Sequence, residues 1–174
     1  MTGMKKKYIL PIIIVTITVL INAFIIMHSC FNANVSSSSS GRLVNFLKAI
    51  INFFHANTIN DNNIGSFTHV IRKLVGHFGL FVFSGFFTSF SFTFVIKKEP
   101  FYKDVYFFLL TLTVGIFIAF LTEFIQRFVP GRSGEFVDAM IDFSGYILGT
   151  IILKILLMVI SLVKTKNDKK RIQG

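Results

Sequence analysis

Acidic side chains are scarce in this sequence: eight Asp and Glu stand against eighteen Lys and Arg, a formal net charge of +10. A basic excess can be the footprint of nucleic-acid binding. Here, however, the basic residues sit at the ends of apolar runs, a placement that sets topology and gives no nucleic-acid face. No nucleic-acid partner is expected. Cysteine is nearly absent: the one thiol, Cys30, has no intramolecular partner for a disulfide, and no Cys/His spacing of the zinc-site kind occurs. Tryptophan is missing. What fills the chain instead is apolar bulk. Of its 174 residues 53% are hydrophobic, and Phe alone occurs 23 times. Mean hydropathy is +0.70, far too apolar for a soluble domain of this size. The composition describes an integral membrane protein.

In chain order, three lysines within Met1 to Lys7 precede an apolar run of about twenty residues, Tyr8 to Met27, the length that spans a bilayer core. A secretory signal is shorter in its apolar part, and neither a small-x-small nor a lipoprotein cleavage site precedes Cys30. Residues 1–27 are therefore read as an uncleaved first transmembrane helix. Residues 28–66 form a polar interval with the run Ser36 to Ser40 and an Asn-rich end, a composition that favours an extracytoplasmic loop. Within it, Leu43, Phe46, Leu47, Ile50, Phe53 and Phe54 recur at helical spacing and predict an interfacial helix over 42–55. His55 beside it is read as a surface residue.

Phe67 to Ile96 is the second predicted span, with His77, Ser84, Thr88 and Ser91 near one inward stripe. Lys97, Lys98, Glu99 and Pro100 make a charged break. Val105 to Ile125 is the third span, with Thr111, Gly115, Ala119, Thr122 and Gln126 as its small and polar stripe and Glu123 at the edge. Phe136 to Val163 is the fourth. Its Lys154 lies about 18 Å along the helix from Asp142 and is expected to snorkel to the far surface. Residues 164–174 read as a basic cytoplasmic tail. Eleven Lys and Arg fall at the terminal side of the spans and six at the other. The positive-inside rule then predicts an all-α integral membrane bundle of four transmembrane helices with both termini cytoplasmic, in the cell membrane.

Half of the acids fall between Glu123 and Gly149. Glu123 and Gln126, three apart, share a helix face near the end of the third span. The turn Pro130-Gly131-Arg132-Ser133-Gly134-Glu135 breaks the helix. Asp138 and Asp142 are four apart in the first turns of the fourth span, where the helix dipole favours anions, and Gly145 and Gly149 follow on the same stripe for close helix packing. A carboxylate inside an apolar span costs a few kcal/mol at least, so it normally faces a partner or a watery cavity. Arg132 is well placed to pair with Glu123 or Asp138.

These residues carry a resemblance. Glu123-x-x-Gln126, Pro130-Gly131-Arg132, Asp138, Gly145 and Gly149, with Arg72-Lys73 followed by His77-Phe78 upstream, resemble the signature of the VanZ-like membrane proteins. That pattern has Asn where this chain has Asp142, and often Tyr where it has Phe81. The resemblance implies a VanZ-like core over 67–163 and a place in the cell envelope. It also implies low-level resistance to the glycopeptide antibiotic teicoplanin.

Three readings of the charged residues stand open. They form a clasp that locks helix ends and satisfies buried charge. Or they form a pocket for the headgroup of a lipid-linked or amphiphilic ligand at the outer leaflet, with Arg72, Lys73, His77, Glu123, Gln126, Arg132, Asp138 and Asp142 as its binding residues. Or His77, Glu123 and Asp138 act as acid and base in an envelope enzyme on a lipid-linked precursor, although no nucleophile motif is visible. A small membrane scaffold is compatible with the first reading. No cofactor is expected, and a metal held by His77 and the acids has no ligand spacing behind it. The lipid bilayer is the one partner the composition itself names, and oligomeric state is not encoded in any motif.

Overall fold

In a computed structural model the protein is described over residues 2–55, 58–95 and 102–173, and these residues are helical with no strands. The helices are α1 (Thr2–Ser29), α2 (Ala33–Phe54), α3 (Ile64–Ile71), α4 (Leu80–Val95), α5 (Tyr102–Gln126) and α6 (Phe136–Gln173). Between α3 and α4 the chain continues as a π-helix over Arg72–Gly79, so that α3, this segment and α4 form one rod. Four segments are long and apolar enough to cross a membrane: Tyr8–Ser29, Ile64–Phe94, Val105–Gln126 and Phe136–Lys169. The charged break at Lys97, Lys98, Glu99 and Pro100 lies outside the described residues.

Outward-facing apolar side chains are the rule, as they must be where lipid replaces water. Leu20, Phe117 and Leu162 are each more than 60% exposed. Many of the buried positions are polar. On α1 the buried residues are Ile14, Thr18, Ile25 and Ser29, at steps of four, seven and four, which form one stripe turned to α4. Ser84, Thr88 and Ser91 on α4 answer that stripe with hydrogen bonds between helices: Ser84 Oγ donates to Asn22 Oδ1 at 2.6 Å, Asn22 Nδ2 to Thr88 Oγ1 at 3.3 Å, and Thr18 and Ser91 share one at 2.7 Å. Apolar lipid offers no alternative partner for these groups, so the hydroxyls join α1 to the bundle.

The contact of α6 with the rod is close. Gly85 lies against the backbone of Tyr146, Gly145 against that of Phe78, and Gly149 against those of Val82 and Phe86. A Cβ at any of the three would meet main-chain atoms, which is why glycine is required there. Ser89 Oγ donates to Thr150 Oγ1 at 3.0 Å across the same interface. On α5, Thr111, Ala119, Thr122 and Gln126 are buried, and Gly115 leaves room for the ring of Tyr146. Lys154 has aromatic partners on α5. Its ammonium lies over the rings of Phe107 and Phe108, 5.2 and 5.7 Å from their centroids, because α5 brings those rings alongside α6.

The segment between α1 and α3 is more helical than its composition suggests. Instead of a helix over 42–55 preceded by a loop, α2 runs Ala33–Phe54 and takes in the serine run. Val44 is buried, whereas Phe46, Phe53 and Phe54 project outward. Between α5 and α6, Val129, Pro130, Gly131 and Arg132 make a turn closed by Arg132 N donating to Val129 O at 3.1 Å. Pro at the second position and Gly131 at φ 75° at the third are the requirements of a type II turn.

Candidate functional site

The charged residues meet where α1 and α5 end and where the π segment and α6 begin, the end of the bundle away from the chain termini. The π segment positions the first set. Its wider turn carries Lys73 and His77 to the side of α6, where Asp138 and Asp142 wait at the same four-residue step. Lys73 Nζ lies 2.5 Å from Asp138 Oδ1 and 4.0 Å from Glu135 Oε2. One turn deeper, His77 Nδ1 lies 3.2 Å from Asp142 Oδ1. Rungs that rise together on both helices show that the rod and α6 run parallel, with α5 returning between them.

Glu123 enters from the end of α5. Its Oε1 is 3.8 Å from His77 Nδ1 and accepts a hydrogen bond from Gln126 Nε2 at 3.1 Å. Its Oε2 accepts from the backbone N–H of Glu135 at 3.0 Å, so the carboxylate satisfies an orphan donor at the start of α6. Gly134, packed against the carbonyl of Glu123, lets the turn come that close. Glu123 and Asp142 are only 4% and 1% exposed.

Arg132 does not pair with Glu123 or Asp138 as its spacing suggested. Its Nε donates to Phe31 O at 3.3 Å and its Nη2 to His28 O at 3.4 Å, capping the carbonyl end of α1, a favoured place for a cation. Burial, and then the neighbouring Arg72, hold its guanidinium below the usual arginine value. Arginine starts far enough above neutrality to stay charged. Asp138 stands in an ion pair with Lys73, whereas the carboxylates within 4 Å of His77 are those of Asp142 and Glu123.

Beside these groups a cavity of about 260 Å³ opens between α1, the π segment and α5. Arg72, His77, Gln126, Arg132 and Asp142 line it, together with Phe24, Ile25, Leu80 and Phe81. Thr122, from the polar stripe of α5, also lines it, and His28 and Ser29 are lining residues that spacing alone does not single out. His28 carries no signal beyond its place at the end of an apolar run. Glu123 instead lines a second, more open hollow of about 630 Å³ beside α5, with Arg127, Glu135, Phe120 and Phe124.

Chemically, the arrangement offers cationic donors beside an apolar wall, and a half-buried imidazole between two buried carboxylates. The sequence model of the VanZ/LLP1 family matches residues 12–158, from within α1 to within α6. No curated protein and no solved structure gives a match. With the match covering most of the chain and four helices fit to span a bilayer, this protein is a multi-pass membrane protein belonging to the VanZ/LLP1 family.

Proposed function

We propose that the protein recognises the charged headgroup of a lipid-linked or amphiphilic molecule at the outer leaflet of the cell membrane, and that it thereby confers low-level tolerance to teicoplanin. The observation that carries this reading is the cavity. An apolar wall from α1 and α4 meets Arg72 and Arg132 at one rim, with Gln126 and Asp142 deeper in. Phosphate or carboxylate suits the arginines, amines or hydroxyls suit the acid and the amide, and a chain of methylenes suits the phenylalanines. The eleven-to-six distribution of Lys and Arg supports an orientation with both termini in the cytoplasm and the cavity outside. The exposed rings of α2 then lie in the outer interface.

Teicoplanin carries an acyl chain that holds it at the membrane surface, whereas vancomycin does not. A protein that alters or occupies amphiphiles at that surface therefore acts on the first drug more than on the second. Expression in a strain lacking its own homologue raises the inhibitory concentration of teicoplanin several-fold more than that of vancomycin. Arg132→Gln removes the difference at equal membrane abundance by immunoblot. Unchanged teicoplanin tolerance with abundant wild-type protein overturns the reading.

A further inference from the structure

We infer that His77, Glu123 and Asp142 bind a divalent metal ion of the zinc class. One ligand atom from each of the three lies within 4.8 Å of the others. His77 Nδ1 stands 3.2 Å from Asp142 Oδ1 and 3.8 Å from Glu123 Oε1. Around a tetrahedral zinc with nitrogen and oxygen ligands, neighbouring ligand atoms are about 3.4 Å apart, between those two separations. The three residues come from the π segment, α5 and α6, so no short spacing in the sequence announces them.

Charge points the same way. Two ionised carboxylates this close repel unless a cation lies between them, and one imidazole supplies at most a single positive charge. The neighbouring cations are engaged elsewhere, Lys73 with Asp138 and Arg132 with the carbonyls of α1. A divalent ion with a neutral His77 balances the set. An independent sign comes from Asp142, which is 1% exposed and whose Oδ2 has no hydrogen-bond partner among the described residues. A buried acceptor without a donor is a position for a cation or for a ligand it carries. The outer shell is also in place: Gln126 and the Glu135 N–H fix both oxygens of Glu123, as metal-bound carboxylates usually are fixed. His77 and Asp142 both line the cavity, so a water or a headgroup oxygen can take the remaining coordination position. The inference stands apart from the headgroup reading, since the site can hold metal whether or not the cavity holds a lipid.

The test uses tag-free protein in detergent, stripped with EDTA, incubated with zinc chloride and passed over a gel-filtration column. Elemental analysis of the protein peak is expected to give about one zinc per chain, retained in a large excess of Mg²⁺ because an imidazole ligand favours the transition metal. Asp142→Asn and His77→Gln weaken zinc binding by about tenfold or more, the least that loss of a ligand should cost. His69→Gln, on the exposed side of α3, keeps it. Cobalt added to the wild type alone gives visible absorption bands of low coordination number, a readout that needs no variant to fold. Substoichiometric zinc without cobalt bands means an imidazole–carboxylate clasp only, and overturns the inference. So does equal zinc loading of the wild type and of a folded Asp142→Asn protein.

Discussion

The contact between the rod and α6 is built in two ways along its length. In its deeper part Gly85, Gly145 and Gly149 bring main chains together, and hydroxyls on either side close the few polar gaps. In its upper part the helices stand a side chain apart, bridged by Lys73 to Asp138 and His77 to Asp142. The deep part is optimised for contact and leaves no space for anything else. The upper part spends burial on charge, which gains little stability after desolvation and leaves a cavity beside it. A helix pair that needed only to adhere would continue the glycine pattern to its end. On the proposed reading, stability belongs to the lower part and ligand binding to the upper.

Substitutions can break that division, and their expected sizes are ordered. Gly149→Leu should be worst: its side chain would have to displace the backbones of Val82 and Phe86, at a cost of about 3 kcal/mol or more, and little monodisperse protein should survive gel filtration in detergent. Lys73→Met comes next because it strands the Asp138 carboxylate. The expected loss is about 1–3 kcal/mol in thermal or denaturant unfolding, less than for a fully buried pair because the Lys73 side chain keeps 25% exposure. Lys73→Met with Asp138→Leu should regain most of it, and a double variant no better than the single one would remove the ion pair from the account. Arg132→Gln gives up two hydrogen bonds to the end of α1 and should cost about 1 kcal/mol while abolishing the teicoplanin effect. Ser84→Ala is the mildest, about 0.6 kcal/mol for a hydroxyl bond between membrane helices, with the drug phenotype intact. A phenotype lost in Ser84→Ala as readily as in Arg132→Gln would erase the distinction between the two parts.

Where a single periodicity governs, the sequence shows its structure directly. The stripe from Thr111 to Gln126 is buried because one α-helical face is enough to define it, and the three-residue step from Glu123 to Gln126 becomes a hydrogen bond for the same reason. Pro130 and Gly131 are legible because their backbone preferences are local. The π segment is not, since its wider turn leaves no mark in the spacing of apolar residues and yet sets the register of Lys73 and His77 against α6. Arg132 illustrates a second limit. Its charge suggests a carboxylate, but the carbonyl end of α1, a hundred residues away in the chain, lies nearer and is itself short of donors. Lys154 shows the same limit: helix length alone says nothing of its partners, and only the placement of α5 reveals two aromatic rings within reach. The His77, Glu123 and Asp142 group is hidden most completely, because three elements each contribute one residue.

The central claim is that the cavity takes an amphiphile by its anionic head, and binding of a prenyl phosphate to the purified protein tests it most directly. Farnesyl phosphate and farnesol share the chain and differ in the head, so native mass spectrometry of each separates apolar wall from cationic rim. The wild type should prefer the phosphate, and Arg132→Gln should lose about tenfold of that preference, the worth of one charge-assisted hydrogen bond of roughly 1.5 kcal/mol. Equal binding of alcohol and phosphate by the wild type, or a preference unchanged in both Arg132→Gln and Arg72→Gln, would contradict it.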